Sequence, residues 1–131
     1  MLWRNNGAGS FTDVASAYNA LAGNGHSIGA CWGDFDNDGL FDLFAGNFAH
    51  PGQPESRFLR NRGSASGYHF QDMGTSGVYY QESYTSPAAG DFDNDGRLDL
   101  FFATVYGIAS GGIPNYPVLF RNESDFSFAD V

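Results

Sequence analysis

Hydrophobic positions along this chain come in short bursts broken by glycine and polar residues, and none is long enough to build a helix of several turns. Ser27-Ile28-Gly29-Ala30-Cys31-Trp32-Gly33 and Phe41-Asp42-Leu43-Phe44-Ala45 are apolar runs rich in aromatics and glycine. Such runs read as strands, and the acidic stretch between them reads as the turn of a hairpin. A second kind of burst occurs three times, as Leu2-Trp3-Arg4-Asn5, Phe58-Leu59-Arg60-Asn61 and Leu119-Phe120-Arg121-Asn122. Each is followed by a turn and then by Phe11-Thr12-Asp13-Val14, Phe70-Gln71-Asp72-Met73 or Phe128-Ala129-Asp130-Val131. The full unit is therefore a hairpin around an acidic loop, a variable connection, and an outer hairpin turning after Arg-Asn.

Four short strands in about sixty residues describe one blade of a β-propeller, so the chain is expected to be all-β with four-stranded antiparallel blades. Residues 1–14 would be the outer hairpin of a partial blade, and residues 15–73 and 74–131 two full repeats. The stretch from Val14 to Ala22 supports a short helical turn at best. Residues 47–56 and 106–117, which contain Gly and Pro, read as loops. A closed propeller needs at least about four blades. The expectation is thus either a segment of a longer propeller or a homo-oligomer whose copies supply the missing neighbours.

The acidic loops carry the chemistry. Asp34-Phe35-Asp36-Asn37-Asp38-Gly39-Leu40-Phe41-Asp42 returns 57 residues later as Asp91-Phe92-Asp93-Asn94-Asp95-Gly96-Arg97-Leu98-Asp99. Carboxylates stand at loop positions 1, 3, 5 and 9 and Gly at position 6, where the backbone must bend sharply. Ca²⁺ takes six to eight oxygen ligands at roughly 2.3–2.6 Å, whereas Mg²⁺ prefers a smaller shell and keeps several waters. The expected donors are Asp34, Asp36, Asp38, Asp42 and the carbonyl of Leu40 in the first loop. In the second they are Asp91, Asp93, Asp95, Asp99 and the carbonyl of Arg97. Neither loop contains a nitrogen or sulfur side-chain ligand for zinc. An EF-hand would need Glu at position 12 and flanking helices; Ala45 and Phe102 stand there instead.

Gly29-Ala30-Cys31-Trp32-Gly33-Asp34-Phe35-Asp36-Asn37-Asp38-Gly39 and Ala88-Ala89-Gly90-Asp91-Phe92-Asp93-Asn94-Asp95-Gly96 resemble FG-GAP (VCBS-type) repeats. With its Arg-Asn hairpins and Gly-His-Ser lead-in, the chain is similar to bacterial UnbV-like proteins and to the cartilage acidic proteins. The resemblance implies a calcium-binding β-propeller of the kind found in integrin α-subunit heads, commonly of seven blades. There the loops brace the blades and ligands bind the loop-rich faces.

Charge changes this picture little. Eight of the fifteen acidic residues and one of the six arginines, Arg97, lie in the two loops, leaving seven acids against five arginines outside them, so the net charge of −9 is mostly a property of the loops. No basic stripe marks a nucleic-acid binder, and no run approaches the about 18 apolar residues of a membrane span. No signal peptide is visible at the N-terminus. Weak calcium loops fill best at millimolar calcium, which points to an extracellular or periplasmic setting. The lone Cys31 reads as a small buried hydrophobe. Arg4, Arg60 and Arg121 share one repeat position and are expected to bond carboxylates or turn carbonyls.

Other motifs weigh less. Gly25-His26-Ser27-Ile28-Gly29 satisfies G-x-S-x-G, but that pattern needs a strand-to-helix turn, and here a loop precedes a strand. His26, His50 and His69 share no metal-ligand spacing. No catalytic residue is expected, since aspartates clamped on calcium stay ionised and cannot act as a glycosidase acid. Asn122-Glu123-Ser124 is a glycosylation sequon. The resulting expectation is a noncatalytic module for protein or glycan binding. Its alternatives are a structural propeller segment and an accessory part of a polysaccharide-degrading enzyme. Tyr79, Tyr80, Tyr84, Tyr106 and Tyr116 would decide whether a stacking platform exists.

Overall fold

The computed structural model describes residues 1–21, 27–47, 55–78, 84–104 and 117–131. The protein is all-β, with antiparallel sheets of two, four and four strands. The two-stranded sheet pairs β1 (Trp3–Gly7) with β2 (Ser10–Asp13). The first four-stranded sheet runs β3 (Ser27–Gly33), β4 (Asp42–Asn47), β5 (Arg57–Asn61) and β6 (Phe70–Gly74). The second runs β7 (Tyr84–Gly90), β8 (Asp99–Thr104), β9 (Val118–Ser124) and β10 (Ser127–Asp130). Each strand pairs with its sequence neighbour, so each sheet is a simple meander, and no sheet closes into a barrel.

The repeat seen in the sequence is a repeat of register. Trp3 lies opposite Asp13, Leu59 opposite Asp72, and Phe120 opposite Asp130. The Arg and Asn that follow keep the same partners in all three outer hairpins: Arg4 faces Thr12, Arg60 faces Gln71 and Arg121 faces Ala129. The acidic loops join β3 to β4 and β7 to β8, in hairpins as expected. A short 3₁₀ turn, Ser64–Ser66, sits in the β5–β6 connection, which the sequence did not signal. From Val14 to Ala20 the chain makes helical turns closed by Tyr18 N–H to Val14 O at 3.0 Å and Ala20 N–H to Ala15 O at 2.8 Å. No helix among the described residues is long and apolar enough to cross a membrane.

Alternation along each strand sends successive side chains to opposite faces; the first four-stranded sheet packs on both faces and the second on one. The main core lies between the two sheets and contains Phe35, Phe44 and Phe58 from the first, with Leu100, Phe102, Val118, Phe120, Phe126 and Phe128 from the second. Phe58 stacks on Phe128 with centroids 4.7 Å apart and meets Phe35 edge-on at 5.3 Å. Stacked and edge-on ring pairs add about 0.5–1.5 kcal/mol each beyond the burial itself. A smaller core lies on the opposite face of the first sheet, where Leu43, Leu59 and Phe70 pack with Ala20, Leu2 and Tyr18. The stack therefore runs from the N-terminal hairpin to the first sheet to the second.

Strands β3 and β7 lie against each other along one side of the stack. Gly29 permits this, since a Cβ there would stand 2.6 Å from Pro87 Cδ and 3.1 Å from the Ser86 amide nitrogen. Cys31 is partly buried against the main core, and burial pushes its thiol up to about 11. It therefore behaves as the apolar filler expected rather than as a nucleophile.

Candidate metal centre

The acidic loops owe their shape to local chemistry. Asn37 and Gly39 take positive φ values of 58° and 85°, and Asn94 and Gly96 take 61° and 87°. Only glycine enters this left-handed region freely, with asparagine the most tolerant of the others. Asp34 then folds inward, accepting Asp38 N–H at 3.0 Å and Gly39 N–H at 2.9 Å, and Asp91 does the same with Asp95 at 3.0 Å and Gly96 at 2.9 Å. The first carboxylate of each loop is thus held by the turn it encloses.

The ninth residue of each loop has a different task. Asp42 is buried and accepts N–H groups from Phe35 at 3.0 Å and Asn61 at 2.8 Å. Asp99 is likewise buried and accepts from Phe92 at 3.0 Å and Asn122 at 2.8 Å. Each ties its loop to the outer hairpin. Desolvation raises the Asp42 carboxyl to about 6 against the pull of its two amide donors, with Asp36 and Asp38 raising it further. Asp36 is also raised, chiefly by desolvation and in opposition to Arg60.

Carboxylate oxygens of Asp34, Asp36 and Asp42 gather within 4.8 Å of one another, and so do those of Asp91, Asp93 and Asp95. Asp38 is drawn aside to Arg60, whose Nη2 lies 3.3 Å away. Asp99 stands outside its cluster. Asp95 joins the cluster while also pairing with Arg97.

The donor set suits a hard divalent ion. Asp36 Oδ2 is shielded from water and receives no hydrogen bond, although Arg60 Nη2 approaches it at 2.5 Å. Desolvation of this carboxylate outweighs its ion pair with Arg60, and a cation ligated by oxygen would offset the remainder. Asp34, Asp36 and Asp42 would hold such an ion in the first loop, and Asp91, Asp93 and Asp95 in the second. It would supply charge neutralisation and a cross-link between the turn and the strand ends.

The three repeat-position arginines diverge. Arg60 serves the first loop, Arg121 pairs with Glu123 at 2.5 Å, and Arg4 donates to the Tyr18 hydroxyl at 3.0 Å. The asparagine beside each is more constant. Asn5, Asn61 and Asn122 each accept the N–H two residues on, from Gly7 at 2.8 Å, Gly63 at 3.0 Å and Ser124 at 3.1 Å. Asn122 also donates to Leu98 O at 3.1 Å and, across the sheets, to Phe35 O at 2.8 Å. A further link joins the loops directly, from Asn37 Nδ2 to Gly96 O at 3.0 Å. The sequence reading passed over these asparagines in favour of the arginines. Their identity in all three internal copies was the available signal.

Ser27 opens β3 and donates to Asn47 Oδ1 at 2.7 Å, which leaves it as a strand-end tie rather than a nucleophile elbow. His69 packs its ring near Tyr18, with centroids 6.4 Å apart. His26, His50, Tyr79, Tyr80, Tyr106 and Tyr116 lie outside the described residues, and Tyr84 begins β7.

The family model of the FG-GAP-like repeat matches residues 1–45, the N-terminal hairpin and the first acidic loop included. The chain is also similar to cartilage acidic protein 1. It is 30% identical over 104 residues to the Xenopus tropicalis protein, covering 79% of this chain and 16% of that one. The Mus musculus protein is 27% identical over 124 residues, covering 95% of this chain and 19% of its own length. The Homo sapiens protein is 26% identical over 124 residues, with 95% and 18% covered. The FG-GAP resemblance read from the residues is borne out. The chain spans less than a fifth of the length of these curated relatives.

Proposed function

We propose that this chain is a noncatalytic, calcium-stabilised β-propeller segment that serves as an interaction module for protein or glycan ligands outside the cell or in a periplasm. The observation that carries the reading is the convergence, in both acidic loops, of three carboxylates around one small volume, at loop positions 1, 3 and 9 in the first and 1, 3 and 5 in the second. Each four-stranded sheet is read as one blade, with residues 15–73 and 74–131 as the repeats and the β1–β2 hairpin as the outer half of another. Ca²⁺ is the ion of choice because all the side-chain donors are carboxylates and the shell is crowded. Within this reading the ion is structural: oxygens of the acidic loop fill its shell, leaving no place for a substrate. The FG-GAP-like match and the similarity to cartilage acidic protein 1 support the module, its noncatalytic character and its extracellular setting.

Thermal unfolding with excess calcium and with chelator tests the proposal. An ion that binds the folded chain alone, present at 100 times its Kd, adds about 2.7 kcal/mol per site, so a domain of this size should melt more than about 10 °C higher with two sites filled. Superimposable melting curves would remove calcium from the account. A glycan array and a polysaccharide hydrolysis panel then separate a binding module from an enzyme accessory.

A purely structural role has one observation in its favour. Phe92 and Phe101, whose counterparts in the first sheet are buried, stand exposed on the outer face of the second. Such a face suits the interior of a larger ring.

A further inference from the structure

One groove remains between the N-terminal hairpin and the first sheet, about 350 Å³ in volume and bordered by Trp3, Trp32, Phe41, Asn61 and Tyr68 among others. Trp32, Phe41 and Tyr68 are all exposed there. Their repeat positions are those of Ala89, Leu98 and Phe126 in the second sheet, and all three of those pack into the main core against the first sheet. Leu98 in particular reaches Gly33, where an added Cβ would stand 3.0 Å from its Cδ1 and equally close to Phe35. What covers Leu98 is thus the inner strand and acidic loop of the neighbouring repeat. Phe41 has no such neighbour among the described residues.

Hydrogen bonding shows the same half-finished contact. Asn122 divides its amide hydrogens between its own sheet, at Leu98 O, and the neighbouring loop, at Phe35 O. Asn61 makes only the first of these bonds among the described residues, to Phe41 O at 3.2 Å, and it borders the groove. The outer hairpin beside the groove is also incomplete. Strands β5 and β9 each pair on one side with the inner strand β4 or β8, Leu59 facing Leu43 and Phe120 facing Leu100. Among the described residues strand β1, in the same register, pairs only with β2.

We propose that the groove is the docking slot for one further β-hairpin of the acidic-loop type, supplied as a separate segment. Its second strand adds to the open edge of β1, as an extended peptide adds to a sheet edge. Its loop phenylalanine covers Phe41 and Trp32, and the carbonyl of that phenylalanine takes the second amide hydrogen of Asn61. The contact between the two sheets already present in the molecule is its template. The proposal rests on the stacked-repeat part of the function given above and not on the calcium part.

Both tryptophans of the chain, Trp3 and Trp32, border the groove. A synthetic peptide of residues 84–104 contains none. Titrating the intact chain with this peptide, in calcium and in chelator, should shift tryptophan emission to the blue and saturate. The same peptide carrying Phe92→Ala should bind about tenfold or more weakly, given the apolar surface lost. In the intact chain Asn61→Asp keeps the acceptor for Gly63 N–H and removes the donor, and should weaken binding about tenfold. The peptide variant leaves the chain untouched, so the test stands even if the Asn61 variant misfolds. Unchanged emission at the highest soluble peptide concentration overturns the proposal, as does equal binding by the Phe92→Ala peptide. A blue shift that grows with chain concentration in the absence of peptide overturns it in favour of a second copy. A chain that melts alike with and without calcium would leave the peptide result standing.

Discussion

The two acidic nonapeptides share seven of nine residues, and their backbones bend in the same way, yet their second residues meet opposite fates. Phe35 is 2% exposed and Phe92 51%. The same holds on the strand that follows each loop, where Phe44 is fully buried and its counterpart Phe101 is 43% exposed. Nothing local separates the members of each pair. The first sheet has the second packed on that face, and the second presents the equivalent face outward. A phenylalanine in such a repeat is therefore neither a core residue nor a surface residue by its own nature; its neighbour in the stack decides.

The largest effect that could break this comparison is mutational. Phe44→Ala should cost about 3–5 kcal/mol in chemical denaturation, the range for deleting a buried ring, while Phe101→Ala should cost under about 1 kcal/mol. Equal losses would mean that the outer face of the second sheet is covered in solution. Next in size, Asp36→Asn and Asp93→Asn should each remove one of two calcium sites by calorimetry. The associated stability loss in calcium is about 2–3 kcal/mol, and it should be larger for Asp36, which has a shielded carboxylate oxygen.

A smaller effect depends on pH. The Asp42 carboxyl sits at about 6 in the folded, ion-free chain and at its ordinary value of 3.8 when unfolded. Between these values the folded chain binds more protons than the unfolded one, so stability in chelator should fall as pH rises from about 4 to about 6, by about 1–2 kcal/mol. Asp42→Asn should flatten that slope. Calcium should reverse it, since protons then compete with the ion for the same oxygens. The smallest contrast is between the arginines. Arg60→Ala frees two carboxylates and should cost about 1–2 kcal/mol in chelator, whereas Arg121→Ala removes an exposed pair with Glu123 and should cost under about 0.5 kcal/mol.

Much of the candidate site was legible before any coordinates. The D-x-D-x-D-G spacing gave the turn, because Asn at position 4 and Gly at position 6 are the residues that tolerate positive φ. The flanking apolar runs gave the hairpins, and the threefold Arg-Asn element gave the outer strands with their common register. Less legible was the division of labour among the carboxylates. Asp38 leaves its cluster for Arg60, a residue 22 positions away, and Asp99 stands outside its cluster although it accepts the same pair of amides as Asp42, which stands inside. The first of these depends on which group arrives from elsewhere in the chain. Asn122 shows the limit well, since its bond to Phe35 O spans 87 residues and joins two sheets.

The amino-acid sequence alone determined what short-range chemistry can dictate: a repeated unit, strands too short and too broken by glycine to be helices, and two turns that crowd carboxylates together. Tertiary structure alone decided which of two equivalent phenylalanines is dry, which carboxylate pairs with which cation, and which face of each sheet stays open. Local conformation follows from sterics and hydrogen bonds within a few residues, and a repeat writes those instructions twice. Burial follows from the surface that packs opposite, and identical instructions carry no information about whether a neighbour is there.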